Sequence, residues 1–321
     1  CFGINHSATC QDDRPSYETR YVELYKEGGA FYDEGDYHSA INSFTNALEI
    51  IEANQGKDNS DYADILTDQA IAYSDLEEYD KALKMFLECL DLREKILGKE
   101  HPDYAMSLSN LAMTYSTIGD YDKALELGIE CLDLTEKILG KEHPDYAVIL
   151  SDLGFSYFSL GDYDRALEME LDCLALYGKI YGKEHTEYSS SLSNLANIHI
   201  ELGDNNKALE IFLECLVLDE QLLRNEHPDY AWSLLSTAYV YSALGDYDKA
   251  LEMGLKCLAL YEKIVGKEHP DYALSLGNLA VTYSDLGDYD KALEMTLEIV
   301  ALNKKIFGKK HPDYVLSLSN L

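Results

Sequence analysis

The sequence predicts an all-α fold, an α-solenoid of stacked antiparallel helical hairpins, and three observations carry that prediction. A motif GKEHPDYA, intact at 140–147, recurs in close copies with its histidine always 42 residues after the last: His101, His143, His185, His227, His269 and His311. Between successive histidines the apolar residues form two stripes at helical spacing, and a glycine separates the stripes in most copies. Self-similarity at a fixed period of this length marks small stacked units rather than one central core. No strand-like alternation competes with the helical spacing.

The elements follow in chain order. Residues 1–16 lack the repeat and read as an irregular lead-in, with the remnant of a secretion signal as the alternative. Seven hairpins then occupy about 17–58, 59–100, 101–142, 143–184, 185–226, 227–268 and 269–310. The unit 101–142 shows why. Leu108, Leu111, Ala112 and Tyr115 fall at i, i+3, i+4 and i+7, one apolar stripe of an amphipathic helix. Gly119 and Asp120 break it. A second helix opens at Tyr121, carries Ala124, Leu125, Ile129, Leu132 and Leu134 to Ile138, and ends at Gly140, a residue suited to the left-handed position after a helix. The breaker recurs as Gly35, Gly161, Gly203, Gly245 and Gly287; the second unit has Glu77 there, so a looser turn is expected. An eighth unit starts at His311 and stops inside its first helix at 321 without the polar cap that solenoids carry, which points to a longer polypeptide.

The recurring motif reads as a joint. Gly140 closes one helix, Lys141 and Glu142 are solvated loop, and Pro144 suits a first turn because its missing N–H has no intrahelical partner there. Asp145 sits at the positive helix end, worth about 0.3–1 kcal/mol. His143 falls at the N-cap or just before it.

Composition excludes several classes. Acidic residues outnumber basic ones 59 to 26, a formal charge of -33, so nucleic acid and anionic membrane surfaces are repelled. No run of eighteen apolar residues supports membrane insertion. Five of seven cysteines, Cys89, Cys131, Cys173, Cys215 and Cys257, share one register that elsewhere holds Ala47 and Ile299, so they act as small buried hydrophobes. Helices stacked roughly 8–10 Å apart keep equivalent cysteines beyond disulfide reach. Unpaired thiols point to a reducing, cytoplasmic location.

The stretch LSNLAMTYSTIGDYDKALELGIECL resembles the tetratricopeptide repeat: Leu111 and Ala112 are the packing pair, Tyr115 follows, Gly119 makes the turn, and Tyr121 and Ala124 open the second helix. The family repeat has about 34 residues. The extra length lies in the second helix and the LGKEHPDYA connector, a form similar to the repeats of kinesin light chains and of many multi-repeat signalling proteins. The resemblance implies a right-handed superhelix whose first helices line a concave face able to hold a peptide.

Catalysis finds no footing in the residues. Metal ligation needs three or four donors converging at about 2 Å, whereas histidines one repeat apart lie along the outside of a solenoid. His199, where other units have tyrosine, reads as a packed imidazole. No serine or cysteine stands in a strained turn beside a histidine, and no phosphate loop occurs. No catalytic residue, cofactor or metal is therefore expected, and the surface must carry the function. Three rows on the first helices point away from the packing stripe. One reads Asp68, Asn110, Asp152, Asn194, Ser236, Asn278 and Asn320; a second Ile71, Met113, Phe155, Asn197, Tyr239 and Val281; a third Asp64, Met106, Val148, Ser190, Trp232 and Leu274. The resemblance implies that asparagine in the first row holds a ligand's backbone, which its donor and acceptor permit. Apolar area gathers in two places, at Trp232, Leu235 and Tyr239, and at Val148, Phe155 and Phe158. The basic residues that clamp carboxylates in chaperone-binding relatives, and acidic cargo in kinesin light chains, are missing from these rows. The expected partner is a protein or peptide, neutral to basic, with an apolar anchor. The expected role is a non-enzymatic scaffold; the alternative is the sensor arm of a longer signalling protein whose effector, a caspase-like protease or kinase, lies outside this chain.

Overall fold

In the computed structural model, which describes residues 17–223 and 227–321, each histidine of the recurring motif starts a helix and each glycine after a first helix reverses the chain. The lead-in expected at 1–16 lies outside the described residues. Two compact units divide the chain between Lys141 and Glu142. The first holds α1 (Tyr17–Asp33), α2 (Tyr37–Gln55), α3 (Ser60–Asp75), α4 (Tyr79–Leu97), α5 (Pro102–Thr117) and α6 (Tyr121–Ile138). The second holds α7 (Pro144–Ser159), α8 (Tyr163–Ile180), α9 (Thr186–Glu201), α10 (Asn205–Leu222), α11 (Pro228–Ala243), α12 (Tyr247–Ile264), α13 (Pro270–Asp285), α14 (Tyr289–Ile306) and α15 (Pro312–Ser319). Within each unit every helix packs on the next in sequence, the pattern of stacked hairpins, and no strand occurs among the described residues.

The joint histidine is the N-cap itself. Its Nδ1 accepts from the backbone N–H two residues on, at 3.2 Å from Asp103 to His101 and from Asp145 to His143, with the same bond at His185, His227, His269 and His311. One of the orphan donors of the first turn is thereby satisfied. An imidazole accepting at Nδ1 carries its ring proton on Nε2. The same Nδ1 of His143 lies 3.5 Å from Asp145 Oδ2, a contact that becomes an ion pair only by giving up the cap.

Between helices of a pair the chain makes a two-bond reversal. Asp120 N–H reaches Tyr115 O at 2.9 Å and Gly119 N–H reaches Ser116 O at 3.0 Å, with Gly119 at φ +83. Asp120 then caps the next helix by accepting from Lys123 N–H. The looser turn expected at Glu77 does not occur. Glu77 takes φ +60, the one non-glycine at positive φ among the described residues, and both turn bonds form at 2.9 Å. Packing on either side holds the glycine geometry against the side chain's preference.

The second helices bury a narrower stripe than the sequence suggests. In α6 the buried positions are Ala124, Gly128, Cys131 and Thr135, while Ile129 is exposed. Small residues at i, i+4, i+7 and i+11 let α6 approach its partner closely. The cysteine thiols donate back to a carbonyl 26 residues earlier, as Cys131 Sγ to Ala105 O at 3.2 Å. Burial pushes four of these thiols up, to about 11 for Cys89 and about 12 for Cys173, Cys215 and Cys257, which leaves them inert. Four residues beyond, the same register carries buried polar links between successive helices. Arg93 donates to Asp64 and to the Ser107 hydroxyl, both at 2.9 Å, and Asp219 accepts from the hydroxyls of Ser189 and Ser233, both at 2.6 Å. No helix among the described residues is long and apolar enough to cross a membrane.

Candidate functional site

The first helices turn two-residue patterns outward because residues seven apart share a face. In α7 the stripe Ala147, Leu150, Leu153, Gly154 and Tyr157 is buried, leaving Val148 and Phe155 exposed. In α11 Ala231, Leu234, Ala238 and Tyr241 are buried, leaving Trp232 and Tyr239 exposed.

In the second unit three of these outward side chains, Phe155, Trp232 and Tyr239, line one cavity of about 440 Å3, walled by α7, α9, α11 and α13 and reached from below by α8, while Val148 lies outside the lining. Phe155, Phe158, Trp232 and Tyr239 form its apolar surface, and Asn194 and Asn278 stand among them. The two apolar concentrations seen separately in the sequence thus meet in a single space. Phe155 is 56% exposed, Tyr239 49% and Trp232 43%, so these rings remain open to solvent. Contiguous exposed apolar area of this kind marks interaction surfaces.

Other expected residues are placed differently. Leu235 is 4% exposed and belongs to the core with Cys257, Tyr261 and Leu276, touching the cavity only as its floor. It sits about 60° around the helix from Trp232, toward the packing side, whereas Tyr239 returns to within about 20°. Asp152 is half-buried outside the lining, and desolvation lifts its carboxyl to about 6. Asn110 and Met113 lie on α5 in the first unit, Asn110 half-buried and Met113 exposed. Asp68 is occupied within the fold, accepting from the Tyr25 hydroxyl at 2.6 Å. His199 is half-buried rather than fully packed. Elsewhere the tyrosine at its register lies under a cation, as Tyr115 under Lys123 at 4.8 Å, but Lys207 pairs with Glu210 instead. Among the described residues no group of three or more His, Cys, Asp or Glu side chains gathers as a metal site would.

Of the lining residues that escaped the sequence reading, Gly154, Glu170, Ile198, Ile200 and Glu201, the most unusual is Glu170. Glu170, on α8, is 1% exposed and lines the floor. The Ser191 hydroxyl donates to its Oε1 at 2.6 Å, and the Asn194 and Ser151 side chains also bond it. Burial raises its carboxyl to about 7, those hydrogen bonds opposing the rise. The signal was present in the repeat: its register holds Phe44, Phe86, Gly128, Phe212, Gly254 and Thr296 elsewhere, so a glutamate there is out of pattern.

The tetratricopeptide repeat family matches residues 23–95, 70–137, 119–179, 187–263 and 238–305. No curated protein matches the chain. Among solved structures, the nearly identical TPR-like repeats of a Podosopora anserina protein described as a kinesin light chain are 27% identical, covering 65% of this chain and 100% of that one with a TM-score of 0.56. A Rap protein complexed with competence and sporulation factor is 18% identical over 91% of this chain and 77% of its own, TM-score 0.63. A signal transduction ATPase with numerous domains, carrying a tetratricopeptide repeat sensor, from Pyrococcus horikoshii, is 17% identical over 90% of this chain and 43% of its own, TM-score 0.70. At these last two identities the likeness is one of fold.

Proposed function

The chain belongs to the tetratricopeptide repeat family, and from that membership we propose that it is a non-enzymatic binding scaffold whose second unit takes a peptide segment of a partner protein on its first-helix face. The observation that carries this reading is the cavity, where four aromatic rings and three carboxamides from successive first helices face one solvent-open space. Rigid aromatic anchors supply most of the energy in such contacts, and asparagine can pair both with a backbone N–H and with a carbonyl. The Rap structure, bound to a named factor, lends the same fold a precedent for ligand capture.

The test is a double substitution on the cavity wall. Peptides selected on the chain from a displayed random library are expected to lose roughly 2 kcal/mol or more of binding to Trp232→Ala, Tyr239→Ala, while far-ultraviolet dichroism keeps its helical signal. Equal affinity for both proteins rejects the cavity as the binding surface.

A second reading is favoured by the Pyrococcus horikoshii likeness, in which the repeats are the sensor of a larger signalling ATPase. In that reading the same surface is the input site of a longer polypeptide, and an effector domain found on the same polypeptide would support it.

A further inference from the structure

The repeat supplies its own control for what is unusual in the cavity. Where other second helices place a ring, a glycine or a threonine, α8 places Glu170, and the carboxylate is shut from bulk solvent. Its bonding partners are the hydroxyls of Ser191 and Ser151 and the carboxamide of Asn194, all neutral. A buried carboxylate held only by neutral donors is costly, and a cation repays that cost best.

A second departure accompanies the first. The α7 position facing Glu170 is Gly154, where five of the six other copies have alanine (Ala70, Ala112, Ala196, Ala238 and Ala280) and the first hairpin has Gly28, closely covered by the Phe44 ring. A Cβ at Gly154 would stand 3.4 Å from Glu170 Oε2. Gly154 and Glu170 both line the cavity, so the missing methyl leaves that oxygen approachable from inside it. Among the described lining residues there are two acids, Glu170 and Glu201, and no lysine, arginine or histidine. The whole chain, at -33, draws cations toward this space.

We propose that the cavity selects a basic side chain of the bound peptide, an arginine or lysine whose cationic head meets Glu170 while its stem lies between Phe155 and Trp232. Arginine fits best, since its planar guanidinium both pairs with carboxylate and stacks on aromatic faces. This rests on the peptide-binding reading above and names the partner's chemistry.

The experiment uses the full chain and its own reporter, because Trp232 is the single tryptophan and lines the cavity. A random dodecapeptide library is panned on the wild-type chain, and selected peptides are titrated while Trp232 fluorescence is followed. The expected consensus carries arginine or lysine beside apolar residues. Glu170→Gln weakens such a peptide roughly 30-fold, replacing its arginine by citrulline weakens it equally on the wild type, and the two changes together cost no more than either alone. Gly154→Ala, which leaves the carboxylate in place but covers it, weakens the arginine peptide and spares the citrulline one.

Affinity for the arginine peptide also rises between about pH 6 and pH 8 as Glu170 loses its proton, and the citrulline peptide's does not. The other titratable groups around Glu170 are Asp152 on α7, Cys173 and Tyr177 on α8, Glu201 on α9 and Tyr239 on α11. Cys173 and Tyr177 are pushed up out of that interval, and desolvation lifts Asp152 to about 6, so Asp152→Asn, which should keep the rise, separates its contribution from that of Glu170. Peptides that shift Trp232 fluorescence but show no basic residue, or bind Glu170→Gln unchanged, overturn the cation assignment and leave the groove reading standing. Failure of every selected peptide to perturb Trp232 defeats both.

Discussion

At the joints six copies do the same thing. An imidazole Nδ1 at 3.2–3.3 Å caps each first helix, and the residue two on supplies a carboxylate to the same turn. In the cavity one copy departs from the rest, with Glu170 in place of a ring, glycine or threonine, and beside it stands Gly154 where five of the six other copies have alanine. Agreement across copies marks residues that serve the chain's geometry. A paired departure in one copy marks residues that serve something local, because it costs stability that the other copies keep.

The largest effect that tests this contrast is the stability cost of Glu170. Its carboxyl rises from 4.5 to about 7 on folding, so the folded chain holds the proton more tightly than the unfolded chain. The stabilising contribution of the protonated form is full below the unfolded value of 4.5 and is lost as pH rises through about 7. Glu170→Gln, which cannot ionise, should match the wild type near pH 4.5 and exceed it near pH 8 by on the order of 3 kcal/mol. Thermal melts at the two pH values measure the gap. A gap that does not change with pH breaks the contrast, since Glu170 is then no more than another packed side chain.

A smaller effect belongs to the second hairpin, where the joint logic is kept with the wrong residues. Glu77 holds the left-handed geometry that glycine holds in its sister turns, and Glu78 stands at the N-cap without the side-chain bond that Asp120 makes in the next hairpin. Glu77→Gly should stabilise by about 1 kcal/mol, the strain relieved less the entropy of glycine. Adding Glu78→Asp restores the cap for roughly 0.5–1 kcal/mol more. It keeps the contact to Lys81, as Asp120 does to Lys123 at 2.9 Å. Denaturation midpoints of the single and double variants check both steps. A destabilised Glu77→Gly would mean that the glutamate does something the turn geometry does not show.

These two places also show how much the sequence could tell. Periodicity located the helices, the caps and the buried cysteines, because each recurs five to seven times and every copy votes. It also located Phe155, Trp232 and Tyr239, which lie on the outward face that a helix of known phase must have. Leu235 also lines the cavity, but 60° of helix rotation buries it as the floor, too fine a difference for an apolar stripe to resolve. Glu170 was missed because the rows compared were those of the first helices, while it rises from a second helix. Its meaning depends on Gly154, sixteen residues earlier on a different helix, and on a cavity that only packing defines. Comparing second helices register by register would have exposed it.

The smallest effect returns to the joint and sets the scale of a residue that serves geometry alone. His143 Nδ1 accepts from Asp145 N–H at 3.2 Å, so His143→Ala leaves one orphan donor to water at the exposed start of α7. The loss should be about 0.5–1 kcal/mol, the low end for an N-cap, because Pro144 already fixes the first turn and Asp145 still faces the helix dipole. His143→Asn, which offers a carboxamide oxygen at the same place, should restore most of it. Both variants should keep peptide affinity and the Trp232 fluorescence shift unchanged, since the cap lies outside the cavity lining. Melting curves give the first comparison and the peptide titration the second. A His143→Ala protein that melts normally but loses peptide would place the joint among the binding residues and erase the distinction between the two regions.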